Sequence, residues 1–167
     1  FDVAGGTMRA LCDCRYVGGS WNQDGTILLG AFGRGASRGI RRLEPGDRNP
    51  VEITTVDASV GVVDTWPVFL PDGRRVLFTR STPGGGDATY VGTLDGGEPT
   101  RISDGSRRVF VPAAGGRGAY LLGIDASGLV AQPFDLGTMS VTGTAAVIVG
   151  GAAAVSVSET GVLATSV

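Results

Sequence analysis

The chain contains no lysine and no histidine, and cysteine occurs only twice in its 167 residues. A Ser-His-Asp or Cys-His triad needs a histidine as its base, and a Schiff base needs a lysine. Histidine is also a leading ligand of zinc, and two thiolates alone do not complete a tetrahedral zinc site. These chemistries are therefore excluded, and we predict neither a bound metal nor a cofactor.

Long hydrophobic runs and charge of one sign are scarce as well. No stretch approaches the ~20 uninterrupted apolar residues of a membrane span. Residues 144–157 are apolar but too short and too rich in glycine and alanine. The net charge is −2 and no basic stripe is present. We therefore expect no membrane span in this chain and no nucleic acid as its partner.

The two cysteines, Cys12 and Cys14, are separated by one residue. In a strand both side chains would point to the same face, and a bridge between such close neighbours would be strained. The sequence predicts two small thiols, buried or half-buried.

A repeated unit is the most informative feature that is present. Residues 20–25 (SWNQDG) are echoed by residues 68–73 (VFLPDG), so that Trp21 corresponds to Phe69 at a spacing of 48 residues. An Asp-Gly turn between short apolar runs, repeated at this period, is typical of β-propeller blades. With 29 glycines and 8 prolines the chain also has the dense turns of an all-β fold.

Looser copies extend the repeat over the rest of the chain. Residues 119–122 (AYLL) match residues 75–78 (RVLF), and a fourth copy begins at residues 155–164. We predict four-stranded antiparallel blades, A to D, with Trp21 and Phe69 on strand A packed between neighbouring blades. The predicted blades are residues 18–63, 64–105 and 106–151, flanked by the end of one blade (1–17) and the start of another (152–167).

The blade count sets an expectation about assembly. At roughly 45 residues per blade, the chain supplies about half to two-thirds of a ring, and a closed propeller needs about four to eight blades. Open ends expose unpaired strand edges that invite pairing with another chain. We expect either a homo-oligomer, such as a dimer that closes the ring, or a segment of a longer polypeptide.

The repeats resemble the WD-like propeller repeats of the TolB (Tol-associated) type, and most closely the propeller that follows the kinase domain of some bacterial serine/threonine protein kinases. Six segments carry the resemblance: residues 10–13 (ALCD), 18–25 (GGSWNQDG), 66–74 (WPVFLPDGR), 94–99 (LDGGEP), 131–135 (AQPFD) and 155–164 (VSVSETGVLA). The resemblance implies a non-catalytic sensing or docking module and an extracytoplasmic, periplasmic location. Phosphoryl transfer would belong to a separate domain, because this chain lacks the lysine and the His-Arg-Asp loop of a kinase.

The candidate binding residues lie in the connectors between blades, which gather around the central channel of a propeller. They are Arg15, Tyr16, Asp57, Asp64, Arg107 and Arg108. The planar fork of arginine favours a carboxylate or another anion, from a protein or a small ligand. Solvated loop charges, or pairs between these arginines and Asp57, Asp64 and Asp104, explain the same pattern.

Two alternatives to a binding module remain open from the sequence. Some propeller enzymes cleave glycosidic bonds with two carboxylates, and Asp57 and Asp64 would be the pair in a glycosidase or lyase fragment. A purely structural, self-assembling half-propeller is the second alternative.

Overall fold

The computed structural model describes residues 10–32, 38–113, 118–157 and 163–166. These residues form fifteen β-strands and one short 3-10 turn, Ala58–Val60. Within the described ranges, no helix has the length and apolarity needed to cross a membrane. Parts of the predicted blade end at residues 1–17 and of the fourth copy at residues 155–164 lie outside the described residues.

Sheet 1 has the strand order β1-β2-β3-β4, with every pair antiparallel. Its strands are β1 (Gly19–Trp21), β2 (Ile27–Leu29), β3 (Arg41–Leu43) and β4 (Val51–Glu52). The predicted Asp-Gly turn joins β1 to β2, and Gly25 has the positive φ of 83° that such a turn requires.

Sheet 2 repeats this order with longer strands. They are β5 (Val63–Phe69), β6 (Arg75–Thr82), β7 (Gly86–Thr93) and β8 (Thr100–Asp104). The Asp72 carboxylate accepts backbone N–H bonds from Arg74 (3.0 Å) and Arg75 (2.9 Å), which fixes the turn between β5 and β6.

Sheet 3 departs from the four-strand pattern at its outer edge. It contains β9 (Val109–Pro112), β10 (Ala119–Asp125), β11 (Gly128–Asp135), β12 (Ser140–Val141) and β13 (Ala146–Gly150). Both β12 and β13 pair with β11, so the outer strand position is divided between two short strands. A last hairpin follows, formed by β14 (Ala154–Val157) and β15 (Leu163–Ser166).

Consecutive sheets are stacked face to face with an apolar core in each gap. The core between sheets 1 and 2 contains Leu28, Ile40, Ile53, Val76 and Phe78. The core between sheets 2 and 3 contains Leu70, Leu77, Val91, Ala119, Leu121 and Phe134. The core between sheet 3 and the last hairpin contains Leu122, Leu129 and Ala152. Central strands are therefore apolar on both faces. Successive residues of one strand, such as Leu121 and Leu122, point to opposite faces and enter different cores.

Polar bonds across the gaps hold the sheets in register. The Ser20 hydroxyl of sheet 1 accepts the Phe69 N–H of sheet 2 at 3.0 Å. The Arg42 guanidinium donates to the Leu94 carbonyl at 3.2 Å, and Arg75 makes the corresponding bond to the Leu136 carbonyl at 3.0 Å. The first strands of neighbouring sheets lie side by side, β1 against β5 and β9 against β14. Stacked antiparallel sheets arranged in this way are part of a β-propeller, which confirms the predicted fold class.

Two local predictions are wrong. Trp21 is 66% exposed, whereas its counterpart Phe69 packs against the core between sheets 1 and 2. The difference arises because Phe69 has sheet 1 beside it, and no sheet of the described residues covers Trp21.

Cys12 and Cys14 are half-buried as predicted, but they form a disulfide, with Cα atoms 5.4 Å apart, and lie outside any strand.

Candidate functional site

A cavity of about 600 Å³ opens where the first strands of the three sheets and the last hairpin converge. Sheet 1 contributes Gly18 and Gly19 to its lining, and sheet 2 contributes Trp66. The connector into β9 contributes Arg107 and Arg108, and the last hairpin contributes its first residues. The volume is within the range of small-molecule sites in proteins, about 300–1,000 Å³.

One unusual backbone conformation recurs around this cavity. Gly18, Trp66 and Arg107 occupy equivalent positions in the three repeats, and their φ angles are 73°, 53° and 52°. A bulky side chain in the left-handed region costs on the order of 1–3 kcal/mol, so it persists only where surrounding contacts enforce it. At Arg107 one such contact is visible, because its backbone N–H donates to the Thr79 hydroxyl at 2.9 Å.

The residues at these three positions are neighbours in space. An added Cβ at Gly18 would lie 2.6 Å from Cε3 of Trp66, so the glycine leaves the space that the indole occupies. The Arg107 guanidinium lies over the Trp66 ring, 3.8 Å from its centroid. This is a cation–π contact, and the Arg107 side chain is otherwise exposed. The indole is half-buried and forms part of the cavity wall.

Arg108 is the second cation of the wall and is only 8% exposed. Its Nη2 donates to the Asp104 carbonyl at 3.3 Å, while Nε and Nη1 have no hydrogen-bond partner among the described residues. The side chain runs over Gly105 and Gly123, where a Cβ would meet the guanidinium. Burial lowers the pKa of Arg108, and the negative charge of Asp125 partly offsets this effect. A buried, incompletely paired cation raises the electrostatic potential of the adjoining cavity wall.

The wall formed by sheet 2 is polar and carries one carboxylate. Thr79, Ser81 and Asp87 line the cavity along β6 and the start of β7. Asp87 Oδ1 accepts a hydrogen bond from the Ser81 hydroxyl at 2.6 Å. Ser81 lies two residues beyond Thr79 on the same strand, a distance of about 7 Å. Asp87, which is bonded to Ser81, is therefore about that far along the wall from Thr79, the residue that accepts the Arg107 N–H.

Asp64 does not line the cavity, and its prediction as a loop residue is wrong. It lies within β5 and its side chain has no exposed surface. The two carboxylate oxygens accept bonds from Nε and Nη2 of Arg80, both at 2.8 Å, and Oδ2 also accepts the Thr54 hydroxyl at 2.7 Å. Thr54 in turn accepts the N–H of Ile40 at 2.8 Å, so this network joins sheets 1 and 2.

The other predicted residues are at the surface. Asp57 is exposed, and the hydroxyl and N–H of Ser59 donate to it and lower its pKa. Arg15 lies 5.8 Å from the Phe32 ring, and Tyr16 is exposed beside it. None of these three lines the cavity. The structure therefore brings two of the six candidates, Arg107 and Arg108, into one site.

Comparisons with solved structures find chains of similar shape. No family model matches the chain, and no curated protein matches it. One of the solved structures is TolB from Acinetobacter baumannii, with 22% sequence identity and a TM-score of 0.49. The match covers 75% of this chain and 31% of the TolB chain, so this chain spans less than a third of that protein. The assignment of the fold accordingly rests on the sheets described above.

Sequence reasoning missed Trp66, Thr79 and Asp87. Trp66 lies in the motif at residues 66–74, whose family resemblance gives no indication of a binding role. A usable signal was present in the repeat itself, because Gly18, Trp66 and Arg107 align at spacings of 48 and 41 residues. Glycine in one copy indicates that this position has a left-handed backbone. A large side chain at the same position in the next two copies then indicates that the side chain has a role which outweighs the strain.

Among the described residues, no group of three histidine, cysteine, aspartate or glutamate side chains is placed to hold a metal ion. The side chains that line the cavity include two arginines, an aromatic face, hydroxyls and one carboxylate. Groups of this kind are able to bind and orient a polar ligand.

Proposed function

We propose that this chain is a non-catalytic β-propeller segment that serves as a protein-interaction or ligand-sensing module, with the cavity at its inner strands as the binding site. The observation that carries the proposal is the wall formed by Arg107 on Trp66. Both residues have left-handed backbone and both line a cavity of suitable size. Strained conformations of this kind are concentrated at ligand sites.

The carboxylate-dependent alternative is weakened by the position of Asp64. A glycosidase needs two carboxyl groups that both reach the substrate, about 5–10 Å apart. Asp64 has no exposed surface and is fully bonded to Arg80 and Thr54. Asp57 alone does not supply the pair. Since the chain also lacks histidine and lysine, binding is the better-supported role.

The setting of the module is part of the proposal. The repeat motifs support an accessory propeller of a bacterial serine/threonine kinase or of a Tol-associated protein, in an extracytoplasmic compartment. The ring would be completed by a second copy or by further blades of the same polypeptide, with blade limits at residues 18, 64, 106 and 152. The apolar exposure of Trp21 at one end, and of Val147 and Ile148 in β13, supports contact with further protein.

A ligand panel followed by NMR tests the proposal. Backbone amide spectra of the ¹⁵N-labelled 167-residue chain would be recorded with carboxylates, phosphates, neutral sugars and short peptides, while the ligand signals are followed over time. We expect saturable shifts grouped at the cavity residues and no conversion of any ligand. Shifts confined to other surfaces, or turnover of a sugar, would contradict it.

A further inference from the structure

We propose that the cavity binds a carboxylate on the free edge of the Arg107 guanidinium, with Trp66 as the rigid backing of that cation. This inference deepens the proposed function and rests on it, because it names the chemical group that the binding module recognises.

Arg107 is placed to bind an anion from the cavity side. One face of its guanidinium is covered by the Trp66 ring at 3.8 Å, and its backbone N–H is fixed to Thr79. Stacking leaves the N–H groups in the plane of the guanidinium uncovered. Arg107 forms no ion pair with any residue that the structure describes. A planar fork of this kind matches a carboxylate through two parallel hydrogen bonds.

The charges of the wall favour an anion. The buried Arg108 guanidinium adds positive potential close to Arg107, which attracts any anion. Asp87 lies on the same wall and opposes part of that attraction. Attraction and repulsion both grow with the charge of the ligand, so the charges select an anion, and the planar fork of Arg107 fits the planar, two-oxygen carboxylate.

The carboxylate has two possible sources, a free small acid or an acidic side chain of a peptide. A peptide adds backbone contacts to the hydroxyls of Thr79 and Ser81, so it is expected to bind more tightly than acetate.

The two tryptophans of the chain allow a site-specific measurement. Replacement of the exposed Trp21 by phenylalanine leaves Trp66 as the only indole, next to the proposed site. Acetate, succinate, phosphate and acetyl-Gly-Glu-Gly-amide would each be titrated at constant ionic strength while Trp66 fluorescence is recorded. We expect a saturable change with the carboxylates, and tighter binding of each of them in the Asp87→Asn variant, which removes the opposing charge. Tighter binding of phosphate than of any carboxylate would overturn the assignment. If only the peptide binds, or if it binds more tightly than acetate and succinate, the source of the carboxylate is a peptide side chain. If the peptide and the small acids have equal affinities, the source is a free acid.

Three arginine variants locate the anion. Arg107→Met is expected to weaken carboxylate binding by about tenfold or more, the value of a charge-assisted hydrogen-bond pair. Arg107→Lys keeps the charge but loses the planar fork, and is expected to weaken it several-fold. Arg74→Met removes an equal charge from an exposed site paired with Asp95, and should leave the affinity within about twofold. Thermal unfolding of each variant checks that the fold is retained.

The outcomes separate this inference from the function on which it rests. An unchanged affinity in a folded Arg107→Met variant overturns the carboxylate site. No saturable response to any carboxylate also overturns it, and if neutral sugars or uncharged peptides still shift the cavity residues in the NMR experiment, the binding function remains. If no ligand class shifts those residues, both proposals fail.

Discussion

Replacement of Asp64 should destabilise the protein far more than replacement of any exposed carboxylate. Asp64 is fully buried at the boundary between sheets 1 and 2. It receives two charge-assisted bonds from Arg80 at 2.8 Å and a hydroxyl bond from Thr54 at 2.7 Å. In Asp64→Asn the Thr54 bond can persist, but Arg80, only 14% exposed, loses its counter-ion.

The size of the effect follows from these bonds. A hydrogen bond to a charged group contributes about 1.5–3 kcal/mol, and two are lost. The uncompensated cation adds to the cost, and removing one partner of a buried pair typically destabilises a protein by about 3–5 kcal/mol. Since a whole domain is stable by only about 5–15 kcal/mol, Asp64→Asn should be close to unfolding. The network's bond to Ile40 predicts that sheet 1 is loosened first.

Urea denaturation measures this directly. Asp95→Asn is the matched control, because its ion pair with Arg74 is 69% exposed and should contribute less than about 1 kcal/mol. The double variant Asp64→Asn/Arg80→Met should be less destabilised than the sum of the single variants, since the cation is removed as well. A loss below about 1 kcal/mol in Asp64→Asn would refute the reasoning. The same result would show that Asp64 is free for another role.

Four further predictions concern the cavity wall, a turn and assembly. Arg108→Met should raise the free energy of unfolding by about 1–3 kcal/mol in urea, because it removes an incompletely bonded buried cation; a loss would mean that Arg108 has a stabilising partner. Gly18→Ala should lower the free energy of unfolding by about 1–3 kcal/mol more than the control Gly46→Ala. Both glycines have positive φ, but only Gly18 lies against Trp66, and equal shifts in thermal unfolding would contradict that contact. Burial alone would raise the pKa of Asp72, but hydrogen bonds from the backbone of Arg75 and Arg74 and from the Arg75 side chain lower it. The stability that Asp72 contributes should therefore be present above pH ~4 and lost as the pH falls through its lowered pKa, and Asp72→Asn should flatten the acid limb of a stability–pH profile. Light scattering over a dilution series should show association that Trp21→Ser weakens, and a monomer at every concentration would contradict self-association through that end.

Much of the fold could be predicted because its determinants are local. The Asp-Gly pairs at residues 24–25 and 72–73 occupy turns in which glycine has positive φ. The apolar runs of β6 and β10 indicate strands buried on both faces, and each of them does contribute to two cores. Turn chemistry and a period of two are both visible within a few residues.

What could not be predicted depends on distant neighbours. Trp21 and Phe69 are equivalent in sequence, yet only Phe69 has a described sheet beside it. Asp64 looked like a connector residue because nothing local reveals Arg80, 16 residues away on the next strand. The pairing of Trp66 with Arg107 joins positions 41 residues apart in different sheets. The first and third cases are contacts between blades, and the second is a cross-strand pair within sheet 2. The repeat pattern carries no information on such partners.

The site is where the repeat departs from its own local preference. At a backbone position that favours glycine, one copy has glycine while the next two have tryptophan and arginine, at φ angles of 53° and 52°. Strain at two such residues and a buried, underbonded Arg108 all reduce stability, and all three line one cavity. Glycine at positions 66 and 107 and an aliphatic side chain at position 108 would give a more stable fold, because they would carry neither backbone strain nor a desolvated charge. Local rules are broken together mainly at functional sites, and the proposed carboxylate would supply the interaction that the arginines of this wall lack.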